Sequence, residues 1–287
     1  MRPGAVVAAS DCRVLAGTAE ARLAALSQWL GPVIDIARRA GAAILEVYES
    51  GEIAVTSKAD ASPLTEADLR SHRIIIDRLA ALTPDWPVLS EESASVCFSE
   101  RALWPRFWLV DPLDGTREFL SHNGEFTVNI ALIEGHEPVL GVVYAPALQL
   151  LYYGIPGAGA FRAHADEPAS AIVVKRHAAT PVRIVGSRSH RGDSLDSLLS
   201  HLGSHELIAV GSSLKLCMVA EGSADLYPRL GATSEWDTAA AHAVVLAAGG
   251  FVTTTTGLPL TYNSRAELLN PHFLVYADRE RQWHRLL

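Results

Sequence analysis

Cysteine is scarce in this chain. Its 287 residues hold three, Cys12, Cys97 and Cys217. The number is odd and the spacings match no metal or redox motif, which leaves reduced thiols of a cytosolic protein as the reading. Positive charge is also short: Lys and Arg total 24 against 32 for Asp and Glu, a formal charge of −8. No basic stripe stands out. That argues against a nucleic-acid groove built on electrostatics, whereas a local pocket for one small anion is not excluded. Long apolar runs are missing too, and none approaches the roughly 18 to 20 residues of a membrane span. Near the start, Ala5 to Ala9 follows Arg2, but Asp11 ends the run. It is too short and too broken for a signal-peptide core. Residues 1–28 are expected to form a loosely ordered extension. Internal repeats and low-complexity segments are absent.

What is present reads as an ordinary globular chain. It is long enough for one large domain or two smaller ones sharing an interface. From Leu30 to Glu49 apolar residues recur at helical spacing, with Pro32 suited to a first turn. Ile53 to Thr56 is a short strand candidate and Lys58 to Pro63 a loop. Thr65-Glu-Ala-Asp68 opens a helix running to about Leu82, in a capping-box pattern where Asp fits less well than Glu. Phe126 to Glu134, Pro138 to Ala145, Leu148 to Gly154 and Ala160 to Ala163 predict an antiparallel meander. Beyond a polar stretch at His164 to Ser170, strands and helices alternate. The helices there include Ser212 to Glu221 and a nearly all-apolar one from Trp236 to Ala248. The expected class is α/β. Residues 29–164 would form an α+β half with an antiparallel sheet, and 165–287 an α/β half.

The chain is organised around one turn, Asp111-Pro112-Leu113-Asp114-Gly115-Thr116. The apolar run Phe107 to Val110 predicts a buried strand, and Pro112 is expected to end it. Two carboxylates are then held three residues apart, Gly115 suits a bend with positive φ, and Thr116 can cap the next helix. An ordinary turn with a helix cap explains this fragment equally well. Other acids tip the balance. Asp68 and Asp237 each sit in a helix's first turn, where an acid also simply favours the dipole. Glu91 and Glu92 end the short strand Pro87 to Ser90, where like charges repel unless something cationic is near. Five such acids, Asp68, Glu91, Asp111, Asp114 and Asp237, lack a matching set of arginines. A shared divalent cation accounts for them more simply, and oxygen ligands without a His or Cys cluster favour Mg²⁺. Aspartyl-phosphate phosphatases use Asp-x-Asp-Gly-Thr. Here the acids are one residue further apart, which re-aims the side chains and argues against that chemistry. Gly211-Ser212-Ser213-Leu-Lys215 starts a helix whose N-terminus could receive a phosphate.

Leu89-Ser-Glu91-Glu92, Trp108 to Phe119 and Trp236-Asp237-Thr-Ala-Ala resemble the three signature motifs of the inositol monophosphatase superfamily. Thr65-Glu-Ala-Asp68 is similar to that family's smaller motif ahead of them. The similarity runs from about residue 30 to the C-terminus. Ser-Glu-Glu, Asp-Gly-Thr-Arg-Glu-Phe and the run Gly211 to Arg229 resemble the CysQ branch, the 3'(2'),5'-bisphosphate nucleotidases. That resemblance implies a layered αβαβα sandwich. It also implies Mg²⁺-dependent, lithium-sensitive removal of the 3'-phosphate of adenosine 3',5'-bisphosphate, a by-product of sulfate assimilation. 3'-Phosphoadenylyl sulfate is a further candidate substrate, and an inositol-type or broad monophosphatase is the alternative. A non-catalytic metal or nucleotide sensor is a third reading, weakened because no expected catalytic position is replaced.

By the same resemblance, Glu91, Asp111, the Leu113 carbonyl, Asp114 and Asp237 would hold two or three Mg²⁺ ions. Thr116 and Asp68 would orient the attacking water and accept its proton, with Glu91 part of the catalytic set. Gly115, Thr116, Ser212, Lys215, Arg229 and Asp237 would meet the substrate. Ser187-Arg188-Ser189-His190 is a looser candidate for the nucleotide pocket. The expected setting is cytoplasmic, with peripheral contact at the inner membrane face, and monomer versus homodimer, left open.

Overall fold

The computed structural model describes residues 9–51, 55–57, 63–187 and 193–287. The chain begins with helix α1 (Ala9–Ser50), strands β1 (Val55–Ser57) and β2 (Pro63–Thr65), and helix α2 (Glu66–Leu82). Then come β3 (Val88–Ser90), α3 (Phe98–Arg101), β4 (Arg106–Asp114) and α4 (Thr116–Leu120). The meander follows as β5 (Thr127–Glu134), β6 (Glu137–Ala145), β7 (Leu150–Ile155), β8 (Gly159–His164) and β9 (Ser170–Ile172). The last part holds β10 (Val182–Ser187), α5 (Asp193–Leu202), β11 (His205–Val210) and α6 (Leu214–Ala220). It ends with β12 (Leu226–Arg229), α7 (Glu235–Ala247), β13 (Phe251–Thr254) and β14 (Phe273–Tyr276).

Strand β4 is apolar at every position from Phe107 to Val110 because both its faces are covered. Phe107 and Leu109 point into a core shared with α6, α7 and the second sheet. Trp108 and Val110 point into a core shared with α1 and α2. The first sheet has seven strands in the order β3-β4-β5-β6-β7-β8-β9, and the second has five, β11-β10-β12-β14-β13. On the outer face of the second sheet, Leu198 of α5 and Trp283 pack against Val182, Ile184, Leu226 and Leu274. The layers therefore run helix, sheet, helix, sheet, helix, as expected of an αβαβα sandwich. No helix among the described residues is long and apolar enough to cross a membrane.

Three expectations are corrected. Residues 9–28 are not a loose extension but the first part of α1, with Leu26 buried and Arg22 paired to Glu134 at 2.7 Å. Pro32 accordingly lies inside the helix rather than in its first turn. The one carbonyl it leaves without a helical donor is a cost that packing of Leu26, Val33 and Ile36 offsets. Pro112 does not end its strand. β4 continues to Asp114 through an irregularity in its ladder with β5. The first sheet takes in Ser170–Ile172, and one hydrophobic core spans both sheets. The loop at 58–62 and the positions Arg188 to His190 lie outside the described residues.

Candidate active site

The ladder irregularity builds the centre of the site. Asp111 pairs with Asn129 and Asp114 with Thr127. Three steps along β4 thus face two along β5, a one-residue bulge. In a regular strand, residues three apart point to opposite faces. The extra residue restores Asp111 and Asp114 to one side. The Leu113 N–H donates to Asp111 Oδ1 at 3.0 Å, and Ser71 Oγ donates to the Pro112 carbonyl at 2.6 Å. Gly115 follows at φ 90°, a left-handed conformation that glycine adopts without strain.

Strand β3 runs parallel to β4, with Ser90 opposite Val110. Continuing that register by one residue sets Glu91 beside Asp111. Asp237 arrives from the first turn of α7, where Ser234 N–H donates to its Oδ2 at 3.0 Å. The four carboxylates feel one another. Burial, then Glu91, Asp114 and Asp237, hold the Asp111 carboxyl well above the usual carboxylate range. Burial, then Asp114 and Glu91, do the same to Asp237. Asp114 is pushed up to about 6 by burial, against the pull of Lys215 and with the push of Glu118 and Glu91. A cluster of oxygen donors so strained by mutual repulsion fits a hard divalent cation such as Mg²⁺.

Asp68 is buried, 1% exposed, and complete in its capping box despite the shorter side chain. Its Oδ2 takes Thr65 N–H at 2.8 Å and Thr65 Oγ1 at 2.6 Å. Its Oδ1 takes the Thr116 hydroxyl at 3.4 Å. On the other side of the cluster, Lys215 is buried, its amine 5.9 Å from the Tyr227 ring centre. Burial lowers its pKa, Asp114 raises it and Arg229 lowers it again, so all three lie near one another. Arg229 donates to the Ala232 carbonyl, while its buried Nε finds no partner among the described residues. The expected helix from Ser212 is shorter: α6 starts at Leu214 and has seven residues. Ser212 instead sits at φ 46°, and its Cβ lies 3.4 Å from where a side chain on Gly115 would begin.

Several residues escaped the sequence. Asn129 Nδ2 donates to Asp114 Oδ2 at 3.4 Å, Ser213 Oγ to Asn129 Oδ1 at 2.8 Å, and Thr127 Oγ1 lies 3.0 Å from Ser213 Oγ. This chain ties β5 to the start of α6. An Asn inside the apolar run of β5 was the available signal, since a fully buried amide must have partners. Glu125 accepts the Gly211 N–H at 2.8 Å, and Glu118 packs beside the same glycine. Among the histidines, His242 is a buried core residue bonded to Tyr262.

Residues 25–284 match the model of the inositol monophosphatase family. The 3'(2'),5'-bisphosphate nucleotidase CysQ of Escherichia coli strain K12 is 49% identical over 247 residues, 86% of this chain and 98% of that protein. The protein of the same name from Haemophilus influenzae is 38% identical over 88% of this chain and 94% of its own length. Among solved structures, CysQ from Bacteroides thetaiotaomicron superposes with a TM-score of 0.76 at 41% identity, covering 87% of this chain and 97% of that one.

Proposed function

The chain belongs to the inositol monophosphatase family, and from that membership we propose that it is a 3'(2'),5'-bisphosphate nucleotidase. It hydrolyses the 3'-phosphate of adenosine 3',5'-bisphosphate. The observation that carries this is 49% identity to a nucleotidase across nearly its whole length. The convergence of Glu91, Asp111, Asp114 and Asp237 beside Lys215 and Arg229 agrees with it.

Glu91, Asp111, the Leu113 carbonyl, Asp114 and Asp237 would hold two or three Mg²⁺ ions. When bound, these supply Lewis-acid stabilisation of the phosphoryl oxygens and a more acidic water. The chain's own residues do the rest. Asp68 Oδ1 takes the Thr116 hydroxyl proton, which turns a Thr116 lone pair outward to accept from a water. Water attacks phosphorus and its proton passes toward the Thr116–Asp68 pair, while the bond from phosphorus to the 3'-oxygen breaks and that oxygen keeps the bonding pair and takes up a proton from solvent. Lys215 and Arg229 bind the second phosphate through charge-assisted hydrogen bonds. Gly115, Ser212 and Asp237 border the same space. Its substrate is a small nucleotide, and we place the reaction in the cytoplasm.

Steady-state assays of adenosine 3',5'-bisphosphate and inositol 1-phosphate, with Mg²⁺, with Mg²⁺ plus Li⁺ and with EDTA, test the assignment. The bisphosphate should win in kcat/KM by roughly 100-fold or more, because a monophosphate leaves Lys215 and Arg229 unpaired. Activity should vanish in EDTA and fall in Li⁺. A preference for inositol 1-phosphate would move the protein to the family's other branch.

A further inference from the structure

Between the start of β6, the second half of α7 and strand β13 lies a cavity of about 490 Å³. It sits within the roughly 300 to 1,000 Å³ usual for small-molecule sites. Pro138, Leu246, Val252 and Leu260 supply much of its wall, and none of the acids of the candidate metal site lines it.

One wall group is polar, buried and incompletely bonded. His242 is 2% exposed, and its Nδ1 lies 2.9 Å from Tyr262 Oη. The proton in that bond can be assigned from its neighbours. Thr238 Oγ1 donates to the Glu235 carbonyl at 3.2 Å. The same oxygen accepts from Asn270 Nδ2 at 3.1 Å and from Tyr262 Oη at 3.2 Å. The single Tyr262 proton is thereby committed to Thr238, so His242 Nδ1–H must be the donor to Tyr262. Burial pushes His242 down to about 3, so at neutral pH the ring carries no second proton. Nε2 is a bare acceptor with no partner among the described residues. His242 lines the cavity and Tyr262 does not, so the ring edge bearing Nε2 faces the space.

The other marker is at the mouth. Arg279 is the only Lys or Arg in the lining. Its guanidinium lies 3.7 Å from the centre of the Phe251 ring and makes no ion pair with any described residue. Beside the Tyr276 phenol, which also lines it, Glu137 and His284 complete the charged or titratable lining. Both are exposed, where solvent screens them.

We propose that this cavity is a second small-molecule site, separate from the hydrolytic centre, for a planar aromatic carboxylate that carries a ring N–H or phenolic O–H. The donor pairs with His242 Nε2, the ring fills the apolar wall, and the carboxylate meets Arg279. A ligand without the donor would leave Nε2 buried and unpaired, so the site discriminates on one hydrogen. The cavity shares no lining residue with the candidate active site, so its test is independent of the nucleotidase reaction.

Calorimetric titration of the full chain with indole-3-acetate, 1-methylindole-3-acetate and indole provides the test. Indole-3-acetate should bind, and the N-methyl analogue should be weaker by roughly tenfold or more. Arg279→Ala should weaken indole-3-acetate while leaving indole unchanged. Leu246→Trp, which fills the cavity, should abolish binding of all three. Arg279 is exposed, so its variant keeps the test valid if Leu246→Trp does not fold. Equal affinity for the methylated and unmethylated acids would overturn the proposal. So would no binding of any probe at millimolar concentration, or indifference to Arg279→Ala.

Discussion

Asp68 divides its work between two oxygens. Oδ2 closes the capping box at Thr65, and Oδ1 faces the Thr116 hydroxyl. Asp237 repeats the plan: its Oδ2 caps α7 at Ser234, and its other oxygen is left for the acidic cluster. On sequence alone, helix cap and chemistry compete as explanations of both residues. In the structure each carboxylate gives one oxygen to the cap, which fixes its rotamer and leaves the other oxygen for the role proposed for it. Asp68→Asn separates the two. Asn still accepts hydrogen bonds, so the cap should lose only about 1 kcal/mol and the melting temperature a few degrees. It cannot accept a proton, so kcat should fall by roughly 100- to 10,000-fold. Turnover and thermal midpoint measured on one preparation decide this, and a fully active Asp68→Asn enzyme removes Asp68 from the mechanism. The acids were legible because each ends an element. The sharing of each carboxylate was not, because a sequence carries no rotamers. Nor was the hydrogen-bond chain through Asn129 and Ser213, whose partners are 84 residues apart in sequence.

At the scale of elements, the composition of α7 now has a cause. A side chain on Gly141 would begin 2.0 Å from the Ala240 carbonyl oxygen and 2.8 Å from Ala243 Cβ. One on Gly154 would begin 2.8 Å from Ala247 Cβ. The helix therefore lies almost on the backbone of β6 and β7, and no side chain larger than alanine fits at 243 and 247. The apolar run at 236–248 told of burial, whereas the closeness needed both partners in view. Because Asp237 rides on the first turn of α7, this contact also sets the depth of a candidate metal ligand. Gly141→Ala should destabilise the protein by about 2 kcal/mol or more, since overpacking against backbone cannot be relieved by a rotamer change. It should also weaken Mg²⁺ activation as α7 is pushed from the sheet. Chemical denaturation and Mg²⁺ titration of activity check both, and a variant unchanged in stability would contradict the packing. The bulge in β4 was misjudged for a related reason. Proline argues against a regular ladder position, but a bulge supplies a place where the missing donor costs little. Helix α1 was misjudged because its early residues are too weakly patterned to announce a helix, and only packing against the sheet reveals one.

Across the whole molecule, the site forms where the end of β3, the bulge of β4 and the first turns of α2 and α7 meet beside Lys215 of α6. The two sheets share a core at this level, so folding itself presses the four carboxylates together. Without a cation this is costly. The native state holds protons on Asp111, Asp114 and Asp237 that the unfolded chain releases, so ionising these groups lowers stability as pH rises through their raised values, about 6 for Asp114. Other groups also bend the pH profile. Glu235, pushed up to about 7 by burial, acts in the same direction. His242, held down to about 3, acts in the opposite one, because below its usual range the unfolded chain takes up a proton that the native state refuses. The difference between metal-loaded and metal-free protein cancels both and isolates the carboxylate cluster. Cation binding requires the ionised acids and so expels their protons, a linkage of up to about 1.4 kcal/mol per proton and pH unit. The rise in melting temperature produced by Mg²⁺ over EDTA should therefore be clearly larger near pH 7.5 than near pH 5.5. Asp114→Asn should shrink the rise at the higher pH. Thermal melts of both proteins in the two buffers supply the comparison. A rise that is equal at the two pH values, or larger in acid, would mean that these carboxylates are not where Mg²⁺ binds.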